Sequence, residues 1–299
     1  MILELGASRS GDIEFLCELC RPTHGLVTSI GAAHLLGFGS IETVAATKGE
    51  LYDFIAESGT AYVPLEDARC VQESDNAKTR RGFGFGDAPA DWTDSYVAGT
   101  ELRFDDQGCG KFKVDGVEIV MTIPGRPAAQ SALAAISIAL DHGISPEQCA
   151  ARMHDVHYTG RRADVIRTAT LTIVDDSYNA NPVSMRAALE TLILLPGRRR
   201  VAILGDMNEL GRHSEDYHRQ LGRDVGQLNV HRAAFVGGES HTSHEEALRT
   251  GVESIHVDRV EDLLPELPGL MEDADLVLIK GSRTMNLEQV VDELKRRAS

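Results

Sequence analysis

Residues 171–182 read Leu-Thr-Ile-Val-Asp-Asp-Ser-Tyr-Asn-Ala-Asn-Pro. A short run rich in β-branched side chains enters two carboxylates, and a polar stretch then ends on Asn181-Pro182. Asn is a favoured N-cap and Pro fits the first helical position. Beyond it Met185, Ala188, Leu189 and Leu192 form one apolar face at helical spacing. The stretch therefore predicts a strand, a polar turn and an amphipathic helix in succession. Outward from it the pattern repeats, with strand-like runs at 200–204, 233–236, 254–257 and 275–279, helix-length segments between them, and a last helix at 286–297. Five strands each followed by a helix predict an α/β fold with a mainly parallel sheet covered on both faces.

The first half is more mixed. A strand-like run occupies residues 2–5, and a helix follows with Ile13, Leu16, Cys17 and Cys20 on one face, ending before Pro22. A strand at 25–30 and a helix at 42–57 come next. From about 60 to 123 the sequence predicts short strands and many turns, the turn residues including Gly82-Phe-Gly-Phe-Gly86, and helices follow at 130–142 and from 146. The boundary between two domains, 1–158 and 159–299, is expected near residue 158. The chain opens directly on a buried-looking strand, as though a segment had been cut off upstream.

Length and charge narrow the function. A chain of 299 residues, 42% hydrophobic and 25% charged, reads as an ordinary globular protein of about two domains. Thirty basic against 46 acidic residues give a net charge of −16, which disfavours nucleic-acid binding. No run approaches a membrane span and no signal peptide is visible, so a cytoplasmic location is expected. Five cysteines suggest no disulfide framework. Cys17-x-x-Cys20 lies on an apolar helix face, which favours packing over redox or zinc chemistry. Nowhere does the sequence contain G-x-x-x-x-G-K-[ST].

Three polar clusters each follow a predicted strand: Asp175 to Pro182, Gly205-Asp-Met-Asn-Glu-Leu-Gly211 and Lys280-Gly-Ser-Arg283. Ligands of open parallel sheets bind at the carboxyl ends of the strands, so the three clusters are expected to share one rim. Lys280 and Arg283 would offer cations there to a carboxylate or phosphate. In the first half Glu4 interrupts an apolar run, where a carboxylate is costly unless paired or metal-bound. His34 follows a strand. Lys48 shares a helix face with Val44, Leu51 and Ile55, which predicts either a snorkelling side chain or a partly buried amine of depressed pKa.

Taken together, these motifs resemble the Mur ligases. Leu3-Glu-Leu-Gly-Ala7, Gly11-Asp12-Ile13, Ala33-His-Leu-Leu-Gly-Phe-Gly-Ser40 and Ala46-Thr-Lys-Gly-Glu50 match the family's central domain in order, and the three polar clusters match its C-terminal domain. The resemblance runs from residue 1 to about 295. It implies a truncated central ATPase-like domain followed by a Rossmann-like C-terminal domain, without the family's N-terminal UDP-sugar domain and its phosphate loop. The implied activity is ATP-dependent amide ligation in peptidoglycan precursor synthesis, adding D-Ala-D-Ala to UDP-MurNAc-tripeptide through an acyl phosphate. Glu4 and His34 would be Mg²⁺ ligands, and Lys48 would become one after carbamylation. Lys48, His34 and Asn181 would be catalytic. Arg161 and Asp176 would contact the nucleotide, while Asn179, Lys280, Ser282 and Arg283 would hold substrate. A separate chain supplying the missing part is an implied partner. Pro127, Ala128 and Ser131 stand where relatives carry a His and two Asn near the adenine, and the family's Asn near Pro64-Leu-Glu-Asp67 is replaced. These departures motivate an alternative: a degenerate, non-catalytic paralogue that binds a peptide or carboxylate ligand.

Overall fold

A computed structural model describes residues 1–156 and 160–297. The chain divides into two compact units. Unit 1 comprises Met1–Asp105, Gly110–Thr122 and Arg126–Val156; unit 2 comprises Asp106–Cys109, Ile123–Gly125 and the chain from His157 onward. The boundary expected near residue 158 lies outside the described residues. No helix is long and apolar enough to cross a membrane among the described residues.

Unit 1 contains, in order, α1 (Asp12–Cys20), β1 (His24–Leu26), α2 (Leu35–Phe38), α3 (Ile41–Ile55), β2 (Thr60–Pro64), α4 (Ala68–Glu73), β3 (Arg80–Phe85), β4 (Ser95–Phe104), β5 (Cys109–Val114), β6 (Val117–Pro124), α5 (Arg126–Asp141) and α6 (Pro146–Met153). The strands form one sheet in sequence order. The β1–β2, β2–β3 and β3–β4 pairs are parallel, and β4 turns back antiparallel onto β5. Helix α1 buries Ile13 and Cys17 and packs against α3. Burial and the nearby Cys20 push the Cys17 thiol up to about 11, in keeping with a packing role.

Three expectations for this half need correction. Residues 2–5 form no strand: among the described residues no strand pairs with them, and Ile2, Leu3 and Glu4 are exposed. Without a ladder partner the backbone of this run has nothing to fix it in a sheet. The strand expected at 25–30 stops at Leu26. Beyond it the backbone N–H groups are taken by side chains, Val27 N donating to Tyr52 Oη (3.2 Å) and Ile30 N to Asp67 Oδ2 (2.8 Å). The Gly82–Phe85 stretch is strand rather than turn. A Cβ at Gly82 would lie 2.9 Å from the Trp92 indole, and one at Gly84 would lie 3.2 Å from Tyr96 Oη. Bare positions here admit two aromatic rings against the strand. The exposed large apolar side chains of this unit include Phe15 and Leu19 on α1 and Leu36 on α2.

Unit 2 contains β7 (Asp164–Arg167), β8 (Leu171–Asp176), α7 (Pro182–Leu194), β9 (Arg199–Gly205), α8 (Ser214–Gln227), β10 (Arg232–Val236), α9 (His241–Arg249), β11 (Glu253–Val257), α10 (Val260–Leu263), α11 (Leu267–Leu270), β12 (Asp275–Lys280) and α12 (Glu288–Arg297). The sheet order is β11-β10-β9-β12-β8-β7. All neighbours are parallel except β7, a four-residue edge strand antiparallel to β8 that the sequence reading did not anticipate. Leu171, Ile173, Val201, Ile203, Val277 and Ile279 point to one face and pack with Val260, Leu263, Val290 and Leu294 of the helices. Helices cover the other face as well, so β12 is buried at every residue. That is why the central strands read as unbroken apolar runs. At the amino ends of β9 and β12, Arg199 grips the buried Asp275 with both arms of its guanidinium, at 2.9 and 2.6 Å.

Candidate functional site

The three polar clusters of unit 2 follow β8, β9 and β12, which are neighbours in the sheet. Their loops therefore leave from one carboxyl-end rim, the position at which such sheets bind ligands. Register does the fine placement. Lys280, the last residue of β12, is the direct partner of Asp176 on β8. Its ammonium, only 3% exposed, lies 2.7 Å from Asp176 Oδ2 and donates to the carbonyl of Asn179 at 2.8 Å. Asp176 Oδ1 accepts from Ala163 N at 3.2 Å. Burial raises the Asp176 carboxyl above the usual range, and the Lys280 charge works against that rise.

Asp175 faces the other way into the strand end. Its Oδ1 accepts from Ser177 N (3.2 Å) and Ser177 Oγ (2.6 Å). Its Oδ2 lies 3.6 Å from Arg161 Nη1, an atom that is buried and has no hydrogen-bond partner among the described residues. An orphaned guanidinium nitrogen is a ready donor for an anion. Beside it the Arg162 guanidinium lies 4.7 Å over the ring of the exposed Tyr178. Asn179 is exposed, while Asn181 caps α7: its Oδ1 accepts from Ser184 N (2.8 Å) and Ser184 Oγ answers Asn181 N (3.0 Å).

Ser282 ties the second and third clusters together. Its N–H donates to Asp206 O (3.0 Å), and its Oγ accepts from Asn208 N (2.8 Å). Arg283 is 61% exposed, with Glu288 at 3.4 Å. Thus the structure joins Asp176, Asn179, Lys280 and Arg161 around one strand end and locks Ser282 to the neighbouring turn. It leaves Arg283 at the surface and commits the Asn181 side-chain oxygen Oδ1 to a helix cap.

Unit 1 holds the remaining candidates. Glu4 is exposed on an unpaired segment, so its carboxylate bears no burial cost. His34 is exposed at a left-handed corner (φ 55°) that starts α2. Lys48 is half-buried on α3, and its Nζ donates to Ser29 O at 2.8 Å. Burial lowers its pKa, opposed by the nearby Cys70 and Asp67. Magnesium requires near-octahedral oxygen coordination. Glu4 and His34 supply two donors, an unmodified lysine accepts nothing, and no group of three or more His, Cys, Asp or Glu able to hold a metal occurs among the described residues. As they stand, these side chains do not fit a magnesium cage.

The sequence reading overlooked two features. Glu66, after β2, accepts from Phe85 N (3.0 Å), Gln130 Nε2 (2.7 Å) and Arg126 Nη2 (3.0 Å to Oε2), closing a network within unit 1. Burial would raise this carboxyl, but the three donors hold it below its ordinary value. Their separation in sequence left no local signal. The second is His218, fully buried beneath the Asp206–Asn208 turn, on a helix whose pattern alone marks it as one polar residue among many.

Comparison with known proteins gives concordant matches along the chain. The Mur ligase middle domain matches residues 1–139, and the family described as Mur ligase, glutamate ligase domain, matches residues 161–283. The UDP-N-acetylmuramoyl-tripeptide–D-alanyl-D-alanine ligase of Bacillus subtilis (strain 168) is 30% identical over 98% of this chain and 64% of its own length. That of Escherichia coli (strain K12) is 31% identical, over 98% and 65%. A crystal structure of MurF from Acinetobacter baumannii superposes with a TM-score of 0.86 at 28% identity, covering 98% of this chain and 64% of that one. MurF ligase from Thermotoga maritima in complex with ADP shares the fold (TM-score 0.83, 22% identity, 99% of this chain and 67% of that one). The chain thus spans somewhat less than two thirds of the curated relatives it matches, 64% and 65% of their length.

Proposed function

Because the chain belongs to the Mur ligase family, with its middle domain followed by its glutamate ligase domain, we propose that it serves the ATP-dependent joining of D-Ala-D-Ala to UDP-MurNAc-tripeptide in the cytoplasm. The observation that carries the reading is the rim of unit 2, where a 3% exposed ammonium is fixed between Asp176 and the Asn179 carbonyl. Joining a carboxylate to an amine through an acyl phosphate brings two anions together, and fixed cations oppose their repulsion. Lys280 supplies such a charge without reorganising, because its partners hold it in place. Arg161 adds a donor with no hydrogen-bond partner among the described residues, 3.6 Å from Asp175 Oδ2 and suited to a phosphate oxygen of the nucleotide, and Asp176 is the second proposed nucleotide contact. Asn179, Ser282 and Arg283 line the rim for the substrate carboxylates, and Asn181 orients the α7 terminus beside them.

ATP supplies the phosphoryl group that activates the stem carboxylate. Glu4, His34 and Lys48 form the proposed catalytic and magnesium-side set, Lys48 after carbamylation; unmodified, these side chains do not make a magnesium cage. The sequence has no G-x-x-x-x-G-K-[ST], so the triphosphate-binding loop is proposed to come from polypeptide outside these 299 residues, in line or as a separate chain. The test is ADP release and product mass with ATP–Mg²⁺, UDP-MurNAc-tripeptide and D-Ala-D-Ala, using the chain alone and with the region encoded upstream. Arg283→Ala, 61% exposed and outside the core, is the matched variant. Amide product that falls with Arg283→Ala supports the reading; no product from the extended protein rejects it.

The closed Glu66–Arg126–Gln130 network favours a second reading, in which the family site binds without catalysis. Satisfied charges of this kind leave no side chain of the network free for a nucleotide. Dipeptide binding by calorimetry without ADP release from the extended protein distinguishes this case.

A further inference from the structure

His218 sits on α8, fully buried, eleven residues from the Met207 amide it meets. Its Nε2 lies 3.0 Å from Met207 N, and its Nδ1 lies 2.9 Å from Ser214 O and 3.1 Å from Ser214 Oγ. A backbone N–H can only donate and a carbonyl can only accept. The Met207 N–H therefore demands a lone pair on Nε2, and Ser214 O demands the proton on Nδ1. One tautomer of the neutral imidazole satisfies both.

Met207 is the middle of the turn after β9, and its two neighbours are held as firmly. Asp206 O accepts from Ser282 N (3.0 Å), while the Asp206 carboxylate accepts from Ser240 N (2.7 Å) and Glu239 N (3.3 Å). Asn208 donates through N to Ser282 Oγ (2.8 Å) and through Nδ2 to Thr284 Oγ1 (2.6 Å). Ser282 thus grips the turn on one side and His218 on the other. Ser282 is also two residues beyond Lys280, so the grip sets where the chain goes after the rim ammonium.

We propose that His218 is a positioning residue: its Nδ1-protonated imidazole pins the Asp206–Asn208 turn against Ser282 and so fixes that turn beside the rim. Without the Nε2 lone pair the Met207 N–H is left unpaired in a dry contact, so that bond is lost rather than weakened. The groups facing the ring are few. From its own helix Ser214 meets Nδ1, and from the loop before α9 the Glu239 carboxylate lies 3.8 Å from Nδ1 and accepts from Ser214 Oγ. From the turn comes the Met207 N–H, with Asp206 beside it already bound to backbone donors. On α9, Ser243 Oγ donates to the backbone carbonyl of His218 at 2.6 Å, which anchors the helix and not the ring. Glu239 meets the Nδ1 side of the ring and leaves the Nε2 contact to Met207. The inference rests on the rim being the binding site, so its experiment separates the two claims.

The experiment is hydrogen exchange of the Met207 amide in the full chain at pH 8, corrected for intrinsic rates and compared with β10 core amides. Histidine ring ¹⁵N spectra and two variants, His218→Leu and His218→Gln, accompany it. The unsubstituted protein is expected to show the Nδ1–H tautomer and a protected Met207 amide. His218→Leu is expected to lose about tenfold in protection at pH 8, the scale of one unmade hydrogen bond. His218→Gln, whose amide oxygen can take the Nε2 place, should restore protection. An Nε2–H tautomer, or Met207 protection indifferent to His218→Leu, overturns the proposal. Affinity for D-Ala-D-Ala, measured on the same three proteins, tests the ligase reading separately, since the exchange readout involves no ligand.

Discussion

Lys280 is the residue on which most of the rim's chemistry converges, and its environment makes its removal measurable in two ways. Lys280→Met leaves Asp176 as a buried carboxylate without its cation, and breaking such a pair costs about 3–5 kcal/mol. The cost depends on pH in a definite direction. Burial already raises the Asp176 pKa in the intact protein, and loss of Lys280 removes the main opposing influence. An acid whose folded pKa is raised favours the native state at low pH, and that contribution disappears as pH rises through the folded value. Urea titrations are therefore expected to show a deficit that is large at pH 8 and shrinks toward pH 5. A deficit independent of pH would mean that Asp176 is not the group left exposed to the change. Lys48 offers the second residue-scale outcome. Its lowered pKa follows from burial on α3, and an amine reacts with carbon dioxide only when neutral. Trapping with labelled bicarbonate and mass spectrometry should place the adduct on Lys48 ahead of the exposed Lys78, and equal labelling of both would remove the chemical basis of the expected modification.

At the scale of elements, the second half of the sequence was readable because both signals it carries are local. Strands buried on two faces need unbroken apolar runs, and α7 announces its own start with Asn181-Pro182, found in place as a reciprocal cap. Asn181→Ala is expected to cost about 1 kcal/mol of stability, seen as a lower denaturant midpoint at unchanged slope; a neutral result would show that the Asn–Ser pair adds nothing. Where the reading failed, a distant partner decided the outcome. Tyr52 and Asp67 end β1 by taking its next amides, Trp92 and Tyr96 make a glycine run into a strand, and β7 exists because β8 offers it an edge. The rim itself was legible, since loops after parallel strands carry ligand chemistry. The histidine beneath it was not, because only the folded chain brings Met207 to His218.

Across the whole molecule the charge is −16, while the proposed substrates are anions. The general field repels them, and Lys280, Arg161 and Arg283 act only at short range. The association rate of the UDP-linked peptide, followed by stopped flow, should rise as ionic strength increases from about 0.01 to about 0.15 M, where the Debye length falls from ~30 to ~8 Å. A falling rate would show that the local cations govern the approach.

One feature of unit 1 governs how the protein behaves at the bench. Ile2, Leu3, Phe15, Leu19 and Leu36 all turn large hydrocarbon side chains toward water. Water-facing hydrocarbon is sticky, so the purified material is expected to bind tightly to phenyl resin, brighten anilinonaphthalene dyes and scatter more light as it is concentrated. Changing Phe15 and Leu19 together to glutamine should bring earlier elution and clearer stocks.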